Sequence, residues 1–165
     1  MLPDQAQEAL VQARSLYCGD LLSGRGARFY EWIDERDESG VTLWEHYREE
    51  YHRVTQRLAR MYYEEGKPKQ AVPLYKDLLK REPTLEDVVR DLYRCYRHLG
   101  DLNALIREDR HLRQALRDAY AELEGPEDDP DEYQLEPETV ARFREVRQDL
   151  EMRASGTLVA HPPTP

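Results

Sequence analysis

Apolar residues recur along the chain at intervals of three and four, the spacing of one face of an α-helix. Leu43, Tyr47, Tyr51, Val54, Leu58 and Tyr62 make the longest such series and predict one long amphipathic helix ending near Gly66. Its start is marked by Thr42-Leu43-Trp44-Glu45, the spacing at which a Thr hydroxyl and a Glu carboxylate each satisfy a first-turn amide. Pro68 opens a second helix carrying Ala71, Leu74, Tyr75, Leu78 and Leu79, and Pro83 closes it. Thr84 and Asp87 offer another capping box ahead of Val88, Leu92, Cys95, Tyr96 and Leu99. Gly100-Asp101 then turns into a helix bearing Leu105, Leu112, Leu116 and Tyr120.

The two ends of the chain follow the same logic. Asp4 is placed to cap a helix reaching about Tyr17, with Ala6, Ala9, Leu10, Ala13 and Leu16 along one side. The glycines of "CGDLLSGRGA" break the period, and Phe29, Tyr30, Trp32 and Ile33 predict a short helix docked on the core. An acidic, proline-broken linker, "EGPEDDPDEYQLEP", leads into a last helix through Val140, Phe143, Val146 and Leu150. No stretch alternates with period two. The fold class is all-α.

Leu58, Tyr62 and Gly66 recur as Leu92, Tyr96 and Gly100, each 34 residues later. Helix pairs with a tight turn at that period predict tetratricopeptide-like (TPR-like) stacking of antiparallel pairs into an α-α superhelix. Ala59 and Ala71 are small enough to let two helices approach, Leu58, Tyr62, Tyr75 and Leu78 fill the seams, and Pro83 ends the unit. One pair cannot bury both its faces, so neighbouring helices must cover it. The second unit departs from the pattern, with Leu105 and Asp109 where Ala and Tyr are expected, so its second helix should pack more loosely or turn another face inward.

Charged residues make up 35% of the chain, which confines its core residues to stripes on two-faced helices. A net charge of −10 repels phosphate backbones and argues against nucleic-acid binding by this segment. No apolar run reaches membrane-spanning length, and no basic leader precedes an apolar stretch, so no membrane contact is expected. Cys18 and Cys95 form no CxxC pair, which points to the reducing cytoplasm. The carboxylates within residues 34–38 offer an acid and a base on paper, but nothing forces any of them into burial, and a charged helix face is the better explanation. His46, His52, His98, His111 and His161 have no ligand spacing, and "GRGA" is too short to cradle phosphate. No catalytic residue, metal or cofactor is expected.

"LYCGDLLSG", the following "YEW", the run from "LARMYYEEGKPKQAVPLYKDLL" to "RHLG", and "EPETVARF" together resemble the bacterial transcriptional activation domain. That domain accompanies winged-helix DNA-binding domains in the antibiotic-regulatory family of activators. The resemblance spans about residues 9–150 and implies a TPR-like domain over residues 1–153, with 154–165 a flexible tail. It implies regulatory contact and self-association within a larger regulator, without catalysis. No winged-helix module precedes Met1, so the family's DNA-binding role is not carried over to this chain.

In stacked pairs the first helix of each unit lines the concave face. Arg53, Gln56, Arg60 and Tyr63 fall there in one unit, and Arg90, Arg94, Arg97 and His98 in the next. One reading is a basic groove for an acidic peptide or a carboxylate terminus, since Arg forks bind carboxylates. The other is a solvated stripe paired with nearby Asp and Glu. Residues 127–132 are either a solvated linker or a lid over the arginines. The function expected is a regulatory protein–protein interaction domain that also homodimerises. The alternatives are a generic TPR-like scaffold in a signalling or envelope-associated protein, or a small-molecule sensor using the Tyr-lined space between helices.

Overall fold

Gly66 and Gly100 both adopt left-handed backbone, with φ of +72° and +71°, and each stops the helix before it. The structure, a computed structural model, describes residues 3–16, 36, 40–124 and 135–156. It has six helices among them: α1 (Pro3–Leu16), α2 (Leu43–Glu64), α3 (Pro68–Arg81), α4 (Glu86–Leu99), α5 (Leu102–Glu124) and α6 (Pro137–Ala154). No β-strand occurs among the described residues; one isolated bridge pairs Arg36 with Thr42. Cys18, the aromatic cluster at 29–33, the glycine loop and acidic segment 127–132 lie outside the described residues.

Consecutive helices pack as α2 on α3, α3 on α4 and α4 on α5, with α6 laid chiefly against α4. This is TPR-like stacking, in which α2, α4 and α6 form one layer and α3 and α5 back it. Ala59 and Ala71 are fully buried in the α2–α3 pair, as close crossing requires. Leu58, Tyr75 and Leu78 are buried beside them, with Tyr62 partly so. The second unit turns the equivalent face inward, and α5 packs less extensively on α4 than α3 does on α2, as expected. Leu105 is fully buried, and the Asp109 carboxylate accepts a hydrogen bond from the buried Tyr93 hydroxyl at 3.1 Å. A tyrosine on α4 thus reaches the place where a tyrosine was expected on α5.

Helix α4 is the hub. Val88, Val89, Leu92, Tyr93, Cys95 and Tyr96 are all buried, so its apolar face takes up nearly half of the helix surface. Burying a single side chain such as Leu92 contributes about 1.5–3 kcal/mol. Tyr93 leans on Phe143 of α6 with ring centroids 5.7 Å apart, and Val146 and Leu150 extend that seam.

Local expectations fare unevenly. The Thr42 capping box forms in full: Glu45 N donates to Thr42 Oγ1 at 3.1 Å, and Thr42 N to Glu45 Oε2 at 2.8 Å. The second does not form. Helix α4 begins at Glu86, so Leu85 rather than Thr84 occupies the N-cap and there is no side-chain cap; Asp87 accepts a bond from Gln56 Nε2 of α2 at 2.7 Å. Helix α1 already starts at Pro3, so Asp4 lies within the helix rather than at its N-cap. Tyr47, expected in the buried stripe of α2, is 46% exposed. The first turn of α2 runs past the end of α3, whose Glu82 meets Arg48 instead.

Helix α1 also turns a partly different face inward from the one expected. Of the expected side, Ala6 and Leu10 do face the body of the domain, now with Gln7 and Arg14, whereas Ala9, Ala13 and Leu16 are exposed. The cause is polar: Arg14 Nη2 bonds Asp77 Oδ2 of α3 at 2.9 Å, and the Tyr51 hydroxyl of α2 donates to the same oxygen. The guanidiniums of Arg14 and Arg81 lie over the Tyr51 ring at 5.8 and 4.7 Å. Burial alone would raise the Asp77 carboxyl, but the Tyr51 and Arg14 hydrogen bonds outweigh it and hold the group below its ordinary 3.8.

Two outcomes follow from this packing. Ala71→Leu should overpack the α2–α3 crossing and cost about 1–3 kcal/mol in urea unfolding. Because Asp77 titrates lower in the folded state, its stabilisation is present above the ordinary carboxylate value and is lost as pH falls through the folded one. Acidification below about pH 4 should therefore strip hydrogen-exchange protection from α1 before α4, and Asp77→Asn should abolish that pH dependence.

Candidate functional site

The arginines singled out on α2 and α4 divide between two environments. Arg60 Nε bonds Asp91 Oδ2 at 2.7 Å, and Arg94 Nη1 meets the other oxygen of the same carboxylate at 3.2 Å. The Asp91 side chain is only 8% exposed, yet Arg60 and Arg94 are each about half exposed. A buried anion therefore anchors two guanidiniums from different helices while their remaining donors face outward. The bond to Asp91 raises the Arg60 pKa further, so its charge is permanent. Tyr63 and His98 meet edge to face at 6.2 Å beside this pair. Arg53 is exposed and ion-paired with Glu50 one turn earlier.

Arg90 and Arg97 face the other way, under α6. Arg90 Nη1 bonds Thr139 Oγ1 at 2.8 Å and also pairs with Glu136. Arg97 reaches Asp149 through Nε at 2.7 Å and Glu145 through Nη1 at 2.9 Å. Arg153 completes the clasp by bonding the Arg97 carbonyl at 3.3 Å. The expected single stripe of Arg90, Arg94 and Arg97 is thus split. Arg94 joins Arg60 on the exposed α2–α4 face, and the other two hold α6 in place.

Sequence reasoning missed three contributors to this face. Asp87 and Asp91 look like ordinary charges of an exposed helix, and only the neighbouring α2 makes them anchors. Arg57 is exposed one turn after Arg53 and one turn before Arg60. The basic spacing Arg53-Arg57-Arg60 on α2 was the available signal.

A further cleft, of about 630 Å³, opens between the first half of α2 and the end of α3, with Tyr51, His52, Asp77 and Arg81 in its walls. Its lining mixes both signs of charge. Burial, with Asp91 nearby, pushes the Cys95 thiol up to about 12, so it is an unreactive core residue. Among the described residues no group of His, Cys, Asp and Glu is arranged to hold a metal ion. None of the described helices is long and apolar enough to cross a membrane.

Removing the buried anchor gives a direct test of the geometry. Asp91→Ala should leave two guanidiniums facing each other without their carboxylate and cost about 1–3 kcal/mol. Thermal unfolding of the variant measures it, and added salt should recover part of the loss.

No curated protein and no solved structure matches the chain. A family model described as "Bacterial transcriptional activator domain" matches residues 2–126. The match takes in α1 to α5, including the α2–α4 face, and stops ahead of α6. It is a family of transcription regulators rather than of enzymes. The chain belongs to the bacterial transcriptional activator domain family.

Proposed function

We propose that the chain is a non-catalytic contact and self-association module of a larger, cytoplasmic bacterial transcriptional regulator, and that it takes acidic protein segments on the α2–α4 face. The observation that carries this reading is the Asp91 anchor, which presents Arg60 and Arg94 side by side with outward donors. Arg53, Arg57, Tyr63 and His98 border them. Arg90 and Arg97 leave the expected binding set because α6 engages them. That engagement is also the internal precedent, since α6 offers carboxylates to α4 arginines just as an acidic partner would. Family membership favours this role over a generic scaffold.

Arg60→Gln with Arg94→Gln keeps donors for Asp91 while removing charge. The pair should weaken binding of a fluorescein-labelled oligoglutamate peptide by about tenfold in anisotropy. Light scattering on the same variant should show a dimer shifting toward monomer. A chain that is monomeric with and without the substitutions refutes the self-association half, and unchanged peptide binding refutes the groove.

The cleft at Tyr51 and His52 supports a second reading, small-molecule sensing, because its volume suits a metabolite-sized ligand. A melting temperature that does not move across a panel of small carboxylates and phosphorylated metabolites counts against it.

A further inference from the structure

The arginines of the α2–α4–α6 layer are largely matched by acids, whereas the back of the domain carries cations in excess. A groove of about 360 Å³ lies between α3 and α5, floored by Leu79, Pro83, Val89 and Leu112. Lys76 and Lys80 border it from α3, and Arg107 and His111 from α5. One carboxylate, that of Glu108, stands among them. It is buried and accepts a hydrogen bond from the Tyr96 hydroxyl at 3.2 Å. Lys76 Nζ and His111 Nδ1 approach it only to 3.8 and 3.9 Å. Among the described residues Lys80 and Arg107 have no ion pair.

Three permanent cations and a histidine therefore share one anion that is already committed to the core. In a chain of net charge −10 this is a local reversal of sign beside an apolar floor. Such a combination selects its occupant. Carboxylates would meet the rim, and an apolar side chain would displace water from Leu79 and Pro83, beneath which Val89 and Leu112 are buried. A nucleic-acid backbone offers the charge without the apolar insert, and the chain's overall charge repels it.

We propose that the α3–α5 groove is a second docking site, distinct from the α2–α4 face, for an extended acidic peptide of a partner protein with one large apolar residue among Asp and Glu. The apolar residue enters over Leu79 and Pro83, and its acidic neighbours lie against Lys80 and Arg107. The signal in the sequence is the pair of basic i, i+4 spacings, Lys76-Lys80 and Arg107-His111, on the two helices that back the repeat. Nothing in the α2–α4 reading depends on it.

The probe is a fluorescein-labelled peptide, Glu-Asp-Glu-Phe-Glu-Asp-Glu, titrated with the 165-residue chain and followed by anisotropy. Lys80→Glu with Arg107→Glu should weaken binding by about tenfold or more, and Lys80→Gln with Arg107→Gln by a smaller factor in the same direction. Circular dichroism checks that both variants fold. Replacing the peptide's Phe by Ser should also cost about tenfold, since the floor then has no insert. In a background of Arg60→Gln with Arg94→Gln, which removes the acidic-peptide binding of the α2–α4 face, the Phe-to-Ser loss and the Lys80 and Arg107 effect should both persist. A Phe-to-Ser loss that survives the Lys80 and Arg107 reversal, or indifference to the Phe, overturns the proposal. Failure of the peptide to bind, with co-sedimentation on phosphatidylserine vesicles that the Lys80 and Arg107 reversal abolishes, would make the groove a membrane contact and equally refute it.

Discussion

Burial of nearly half the surface of α4 is the constraint from which the rest of the domain follows. A helix with so many buried positions must be covered by α3, α5 and α6 together, so no single hairpin here is self-sufficient. The same helix carries Arg90, Asp91, Arg94 and Arg97, and these polar groups must find partners at the margins of that coverage. Asp91 finds them on α2 and its own helix, and Arg90 and Arg97 on α6. The placing of the exposed guanidinium face is therefore a by-product of how the hub is enclosed. Whatever α6 covers is structural, and what remains open toward α2 is the edge that carries Arg60 and Arg94.

Much of the scaffold was legible because it rests on local, periodic signals. The small-residue crossing at Ala59 and Ala71, the Thr42 cap and the turns at Gly66 and Gly100 need only a few residues of sequence to be recognised. The exposed face was less legible because its chemistry is decided between helices. Arg90, Arg94 and Arg97 share a spacing that puts them roughly on one side of α4, yet the width of that side spans two neighbours. Thr84 and Asp87 have the right spacing for a cap, but Leu85 takes the N-cap place and Asp87 meets Gln56. Helix α1 was misread in part for a similar reason: alanines marked its apolar side, whereas a single ion pair at Arg14 set its orientation.

Charge is sorted between the two sides of the sheet-like stack of helices. Acidic groups accompany the arginines wherever α2, α4 and α6 meet, while α3 and α5 leave lysine, arginine and histidine crowded around one buried glutamate. A chain with a large acidic excess thus keeps two cationic areas of different character. One is a set of hydrogen-bonded guanidinium forks; the other is a rim of lysine, arginine and histidine around an apolar floor.

Three tyrosine hydroxyls donate to carboxylates across the hairpins: Tyr51 to Asp77, Tyr93 to Asp109 and Tyr96 to Glu108. Losing the acid from any of these pairs takes an acceptor from a buried phenol, whereas losing the phenol leaves an acid that still has a cation: Arg14 at Asp77, Arg113 at Asp109 and Lys76 near Glu108. The two members of each pair are therefore unequal. The carboxylate can outlast its tyrosine more easily than the tyrosine can outlast its carboxylate.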